Sequence, residues 1–118
     1  MFEITVEGHF SAAHHLLNYD GECENQHGHN WKVEVSVKGN KLNSSNILID
    51  FKVLKNVLNE ILDKLDHKDL NEIEDFKGQS PSSEIIAQFI FNEIKKKIDK
   101  VSVVSVWETD RAKASYFE

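Results

Sequence analysis

A chain of 118 residues has room for one modest hydrophobic core, so a single domain over residues 1–118 is expected. With 40% hydrophobic and 29% charged residues it reads as an ordinary globular protein, and a net charge of −6 argues against a general nucleic-acid binder, which would carry a basic face. One cysteine, Cys23, excludes an intrachain disulfide; no apolar run nears the ~18 residues of a membrane helix and Met1-Phe2-Glu3-Ile4 shows no leader pattern, so a cytoplasmic setting without membrane contact is expected.

The chain opens with Phe2-Glu3-Ile4-Thr5-Val6-Glu7, whose alternation marks a half-buried strand. A second strand spans Trp31 to Lys38, with Trp31, Val33, Val35 and Val37 on one face. The polar stretch from Gly39 to Asn46 reads as a loop. From Asp50, a natural N-cap, Phe51, Leu54, Leu58, Ile61 and Leu65 recur at helical spacing, widened by Val57 and Leu62. The segment from Asp66 to Gln79 has weak periodicity and is long for a connection, a place where function tends to reside. A second helix is expected from Pro81, with Ser80 as N-cap and Glu84 in the first turn; Ile86, Phe89, Ile90 and Ile94 form its buried side. Val101–Trp107 and Ala112–Phe117 complete the pattern as two further strands. The order predicts an α+β fold, a four-stranded antiparallel sheet with two helices on one face. Its two open edges predict oligomerisation.

Six histidines fall within the first 67 residues. His27-Gly28-His29 leads into the second strand, where residues two apart point the same way, so both imidazoles can reach one metal. His14 can supply a third, and three nitrogens with an open position describe a catalytic zinc site. Taken alone, a His-x-His pair fits a metal-free surface strand as well. Cys23 lies four residues before His27 in a polar, turn-like setting, and a thiolate there can act as base or nucleophile; a small buried hydrophobe is the bland alternative. In Asp66-His67 a carboxylate stands ready to fix a histidine tautomer, although such a pair also occurs as a simple polar helix end. Glu108, at the end of an apolar strand, can accept two parallel N–H bonds from a guanidine-like ring edge or merely face solvent.

Together these pieces resemble the 6-pyruvoyltetrahydropterin and 6-carboxytetrahydropterin synthase family. The resemblance is carried in order by Phe10-Ser11-Ala12-Ala13-His14, Cys23-Glu24-Asn25-Gln26-His27-Gly28-His29-Asn30 and Ile49-Asp50-Phe51. It continues through Leu65-Asp66-His67-Lys68-Asp69-Leu70-Asn71, Pro81-Ser82-Ser83-Glu84 and Trp107-Glu108-Thr109. It implies the tunnelling fold, in which sheets of several subunits join into a barrel, and a homohexamer built as a dimer of trimers with active sites between subunits. It implies Zn2+ on His14, His27 and His29, Cys23 as catalytic base, Asp66 and His67 completing proton transfer, and Glu108 anchoring the pterin, with Thr109 and Ser82 beside the substrate. His15 stands where many relatives have arginine and is not assigned to the metal; Ser82 replaces a common threonine.

The implied substrate is 7,8-dihydroneopterin triphosphate. The short Cys-x-x-x-His-Gly-His spacing resembles the bacterial enzymes that make 6-carboxy-5,6,7,8-tetrahydropterin for queuosine and other deazapurines, with loss of acetaldehyde and triphosphate. Animal-type 6-pyruvoyl synthases have a longer gap. Glu24 directly after Cys23 resembles a subfamily that releases 6-hydroxymethyl-7,8-dihydropterin for folate synthesis, which makes Glu24 a second candidate catalytic residue; an exposed acid in an acidic loop is the alternative. Lys52, Lys68 and Lys113 are the candidate triphosphate cations. A non-catalytic metal-binding domain would not need Cys23, Asp66 and His67, and a zinc hydrolase would not need a thiol base or a ring-anchoring acid.

Overall fold

A computed structural model describes residues 1–20 and 24–118. Strand β1 (Phe2–His14) pairs antiparallel with β2 (His27–Gly39) in unbroken register, from Phe2 opposite Gly39 to His14 opposite His27. Both strands outrun the sequence expectation, which ended the first near Glu7 and began the second at Trp31. Ala12, Ala13 and Gly28 interrupt the side-chain alternation there, while the backbone ladder needs only its N–H and C=O groups and continues past them. The extension matters, because it carries His14, His27 and His29 on the sheet itself.

Strand β3 is only Lys68–Asp69 and runs parallel to Ala12-Ala13; helix α1 is Phe51–Asp63 and helix α2 Ser83–Lys95. Strands β4 (Val101–Thr109) and β5 (Ala112–Phe117) add antiparallel on the other side of β2. The sheet order is β3-β1-β2-β4-β5. The expected four-stranded antiparallel sheet is therefore a five-stranded mixed one, because a two-residue strand leaves no period in the sequence. The α+β layout with both helices on one face is as expected: α1 lies over β1 and α2 over β4 and β5.

Between sheet and helices lies the core. Trp31, Val33, Val35, Val37, Val104 and Val106 of the sheet meet Leu54, Leu58, Ile86, Ile90 and Ile94 of the helices, all almost completely buried. Burial of this apolar surface is the main force holding the layers together. Phe51, expected in the buried stripe, is 54% exposed; it sits on the first turn of α1, where it borders a surface hollow with Phe2 and Leu48. The opposite sheet face is polar, with hydroxyl pairs Thr5–Ser36 and Ser105–Ser115, each at 2.7 Å. The connection from Lys64 to Ser82 folds into β3 and two 3-10 turns, 70–72 and 74–76, anchored by buried Leu70 and Phe76. Among the described residues no helix is long and apolar enough to cross a membrane.

The caps decide how α1 and α2 begin. Asp50 Oδ1 accepts the Lys52 N–H at 2.8 Å, as its sequence position predicted. At α2 the cap is Ser82, whose hydroxyl accepts the Ile85 N–H at 3.3 Å, and the helix starts two residues later than expected. The reason is competition: the Ser80 hydroxyl is taken by the Leu17 N–H at 2.6 Å, and the Pro81 carbonyl is taken by His14. Ser82→Ala is expected to lower stability by about 1 kcal/mol, the usual worth of an N-cap, as read by chemical denaturation. An unchanged midpoint would remove the cap from the account.

Candidate metal centre and active site

The β1–β2 register sets His14 opposite His27 and Ala12 opposite His29, so the three imidazoles gather at one end of the sheet on its core-facing side. Their ring centroids lie 4.7, 4.8 and 5.3 Å apart. Trp31 forms the floor, edge-on to His14 and His29 at 4.9 and 5.3 Å, and its Nε1–H donates to the Ala12 carbonyl at 3.3 Å. Glu108, the penultimate residue of β4, brings Oε1 to 2.9 Å from His29 Nε2 and 3.9 Å from His14 Nε2. One ligand atom from each of His14, His27, His29 and Glu108 falls within 4.8 Å of the others.

Hydrogen bonds fix which nitrogens face inward. His14 Nδ1 is 2.8 Å from the Pro81 carbonyl and His27 Nδ1 is 3.0 Å from the Asn25 carbonyl. A carbonyl only accepts, so each Nδ1 carries its proton when the ring is neutral and each Nε2 keeps its lone pair. Among the described residues, the Nε2 atoms of His14 and His29 are buried without a hydrogen-bond partner; Glu108 is close to His29 but not aligned for a hydrogen bond. Burial lowers the pKa of His29, aided by His27 and His14 and opposed by Glu108, which favours the neutral donor form. Buried, orphaned imidazole nitrogens beside a carboxylate fit a borderline divalent cation such as zinc.

Residues around the cluster shape its access. The Glu24 carboxylate accepts the Leu16 N–H at 3.1 Å, the Glu24 N–H returns to the Leu16 carbonyl at 3.0 Å, and Oε1 lies 3.7 Å from His27 Nδ1. With His14, His27, Ser82, Ser83, Glu84 and Glu108 it lines a hollow of about 120 Å³. Ser83 Oγ donates to Glu108 Oε2 at 3.2 Å and steadies that carboxylate. Sequence reading passed over Ser83 and used Glu84 only as a helix-start residue. Their position directly after Ser82 in a family motif was the available signal. Thr109 is not part of this group: it accepts the Arg111 N–H and lines a separate hollow with Asn30, Lys32 and Trp107. Cys23 lies outside the described residues.

The Asp66–His67 pair is formed. Asp66 Oδ1 accepts the Ser11 N–H at 2.9 Å and Oδ2 stands 3.0 Å from His67 Nδ1, while the His67 N–H donates to the Ser11 carbonyl at 2.6 Å. The Ser11 N–H, aided by His67 and partly offset by burial, holds the Asp66 carboxyl below its ordinary pKa. These bonds keep His67 at φ +58°, a left-handed backbone uncommon outside glycine. Its ring is 82% exposed and shares with His29, Gly28 and Lys68 a groove of about 490 Å³. His15 is outside the metal cluster; its N–H and C=O are clasped by the Asn71 side chain at 3.0 and 3.1 Å, which ties the chain after His14 to the turn after β3.

Residues 3–118 match the family model described as 6-pyruvoyl tetrahydropterin synthase. The 6-carboxy-5,6,7,8-tetrahydropterin synthase of Haemophilus influenzae is 31% identical, with 100% of each chain covered. The 6-pyruvoyl tetrahydrobiopterin synthase of Dictyostelium discoideum is 36% identical over 76% of this chain and 69% of that one. The structure of Caenorhabditis elegans 6-pyruvoyl tetrahydropterin synthase superposes with a TM-score of 0.84 at 26% identity, covering 100% of this chain and 97% of that one.

Proposed function

The chain belongs to the 6-pyruvoyl tetrahydropterin synthase family, a lyase-type enzyme on the tunnelling fold, and within it we propose conversion of 7,8-dihydroneopterin triphosphate to 6-carboxy-5,6,7,8-tetrahydropterin. One water is consumed, acetaldehyde and triphosphate are the other products, and the pathway served is that of queuosine and related deazapurines. The observation that carries this reading is the cluster of three imidazoles and a carboxylate, two of the rings held by backbone carbonyls. The Cys-x-x-x-His-Gly-His spacing and the name of the Haemophilus relative support the 6-carboxy product over the 6-pyruvoyl one.

His14, His27 and His29 would hold zinc, which when bound would polarise the side-chain hydroxyls and acidify the adjoining C–H. Cys23, as thiolate, is the base that removes the side-chain proton. His67, held by Asp66, relays or returns a proton. Glu108, steadied by Ser83, accepts the paired N–H donors of the pterin edge and so keeps the reacting carbon in place. Ser82 serves the substrate mainly by fixing where α2 begins beside Glu108, and Thr109 would meet the substrate from the hollow it lines with Lys32 and Trp107. The three-carbon side chain and the dihydropterin ring exchange hydrogens internally, so no redox cofactor is needed. The outer edge of β5 and the edge of β1 not covered by β3 support assembly of copies into a barrel, the homohexamer the family implies.

Glu24 favours a second reading, release of 6-hydroxymethyl-7,8-dihydropterin, because its carboxylate lines the hollow beside His27. Acetaldehyde separates the two. Its release in step with substrate consumption, read by an alcohol dehydrogenase coupled assay, is the expected result. Substrate loss without acetaldehyde would overturn the 6-carboxy assignment, and 6-hydroxymethyl-7,8-dihydropterin among the products would establish the second.

A further inference from the structure

Beyond His14 the first strand runs out of strand neighbours among the described residues: β2 pairs with it as far as His14 opposite His27, and β3 covers only Ala12-Ala13. The next three residues are nevertheless held at both N–H and C=O, each by a different segment of the chain. His15 is bonded by the Asn71 side chain at 3.0 and 3.1 Å. Leu16 exchanges bonds with Glu24 at 3.1 and 3.0 Å, and Leu17 with the Ser80 hydroxyl at 2.6 and 3.4 Å. Resting on the metal centre assigned above, we infer that Asn71 is a positioning residue of that centre: its amide prolongs the β1–β3 ladder and fixes the strand end that carries His14.

The geometry singles out Asn71. Successive residues of a strand turn their N–H and C=O to opposite edges, so His14 faces β2 while His15 faces the side of β3. After Asp69 the chain bends into the 3-10 turn Leu70–Glu72, so its backbone leaves the ladder before it reaches His15. The parallel register that sets Ala13 against Asp69 would set His15 against Asn71, and the Asn71 side chain takes that place. Its Oδ1 accepts the His15 N–H and its Nδ2–H donates to the His15 carbonyl. A primary amide presents donor and acceptor side by side, as a backbone unit does, whereas an ionised aspartate presents acceptors only. Asp69 Oδ1 in turn accepts the Asn71 N–H at 3.1 Å, and buried Leu70 anchors the turn. The residue next to this clasp is His14, 2% exposed, with its ring centroid 4.7 and 5.3 Å from those of His27 and His29 and its Nδ1 2.8 Å from the Pro81 carbonyl. A shift of the strand end breaks that bond and carries the His14 Nε2 away from the cluster.

The test is the zinc affinity of the full chain, measured by competition with a chromogenic chelator beside a melting curve. Asn71→Ala should weaken zinc binding roughly tenfold, the low end for a residue that supports a ligand. Asn71→Asp keeps the side chain's size and loses only the donor, so it carries the test if the alanine variant fails to fold, and zinc should again bind more weakly. Ser105→Ala removes the 2.7 Å bond to Ser115 on the opposite sheet face and should leave zinc affinity at the parent value, whatever it does to melting. Parent-level zinc affinity in a folded Asn71→Ala would overturn the inference. An equal loss in Ser105→Ala would also overturn it, by reducing Asn71 to general stability. If the parent itself takes up no zinc, the metal reading fails and the role of Asn71 is still decided by nitrogen NMR of the His14 ring in the metal-free protein, at a pH that keeps it neutral. One tautomer in the parent, with the proton on Nδ1, and a mixture in Asn71→Ala support the positioning; the same single tautomer in both overturns it.

Discussion

His29→Ala is expected to take the protein from stoichiometric zinc to almost none while it stays folded. The His29 Nε2 is buried and, among the described residues, has no hydrogen-bond partner, as a nitrogen reserved for a metal would be. Losing one of three imidazoles should cost more zinc affinity than the ~10–100-fold typical of a supporting residue. The ring touches Trp31 edge-on at one end of the sheet and is only partly buried, so folding should tolerate its removal. Metal analysis per chain and a melting curve read both halves of the expectation. Unchanged zinc content would remove His29 from the ligand set.

The second large effect is expected from Cys23→Ala, which should keep zinc at the parent level and lower turnover by about 10²–10⁴-fold, the range for a general base. The argument rests on sequence: a thiol four residues ahead of His27, within a segment that matches the family motif. Normal zinc with normal turnover would take Cys23 out of the mechanism and leave His67 and Glu24 as the candidate bases. Loss of zinc together with turnover would make Cys23 a ligand, contrary to the present assignment.

Much of this architecture can be read from the chain, for identifiable reasons. The second strand and both helices announce themselves because Trp31, Val33, Val35 and Val37 alternate and Leu54, Leu58 and Ile61 recur at helical spacing, and all of these are buried. The metal cluster was legible because a strand places His27 and His29 on one side, and pairing with β1 then brings His14 opposite His27. What escaped the sequence depends on competition for hydrogen bonds. Nothing local says that Ser80 is spent on Leu17 and Pro81 on His14, which moves the α2 cap to Ser82. Nothing periodic marks the two residues of β3, which exist because Ala12-Ala13 offers a free ladder edge. Glu108 was legible as a strand-end acid, while its approach to His29 required the sheet order that sets β4 beside β2.

The clustering of three imidazoles and a carboxylate is the central claim, and its meaning is a specific reaction. The most direct measurement is to incubate the zinc-loaded protein with 7,8-dihydroneopterin triphosphate and identify the pterins formed by mass spectrometry. A main product of 6-carboxy-5,6,7,8-tetrahydropterin is the predicted result. Recovery of unchanged substrate from a protein that holds its zinc would contradict the account.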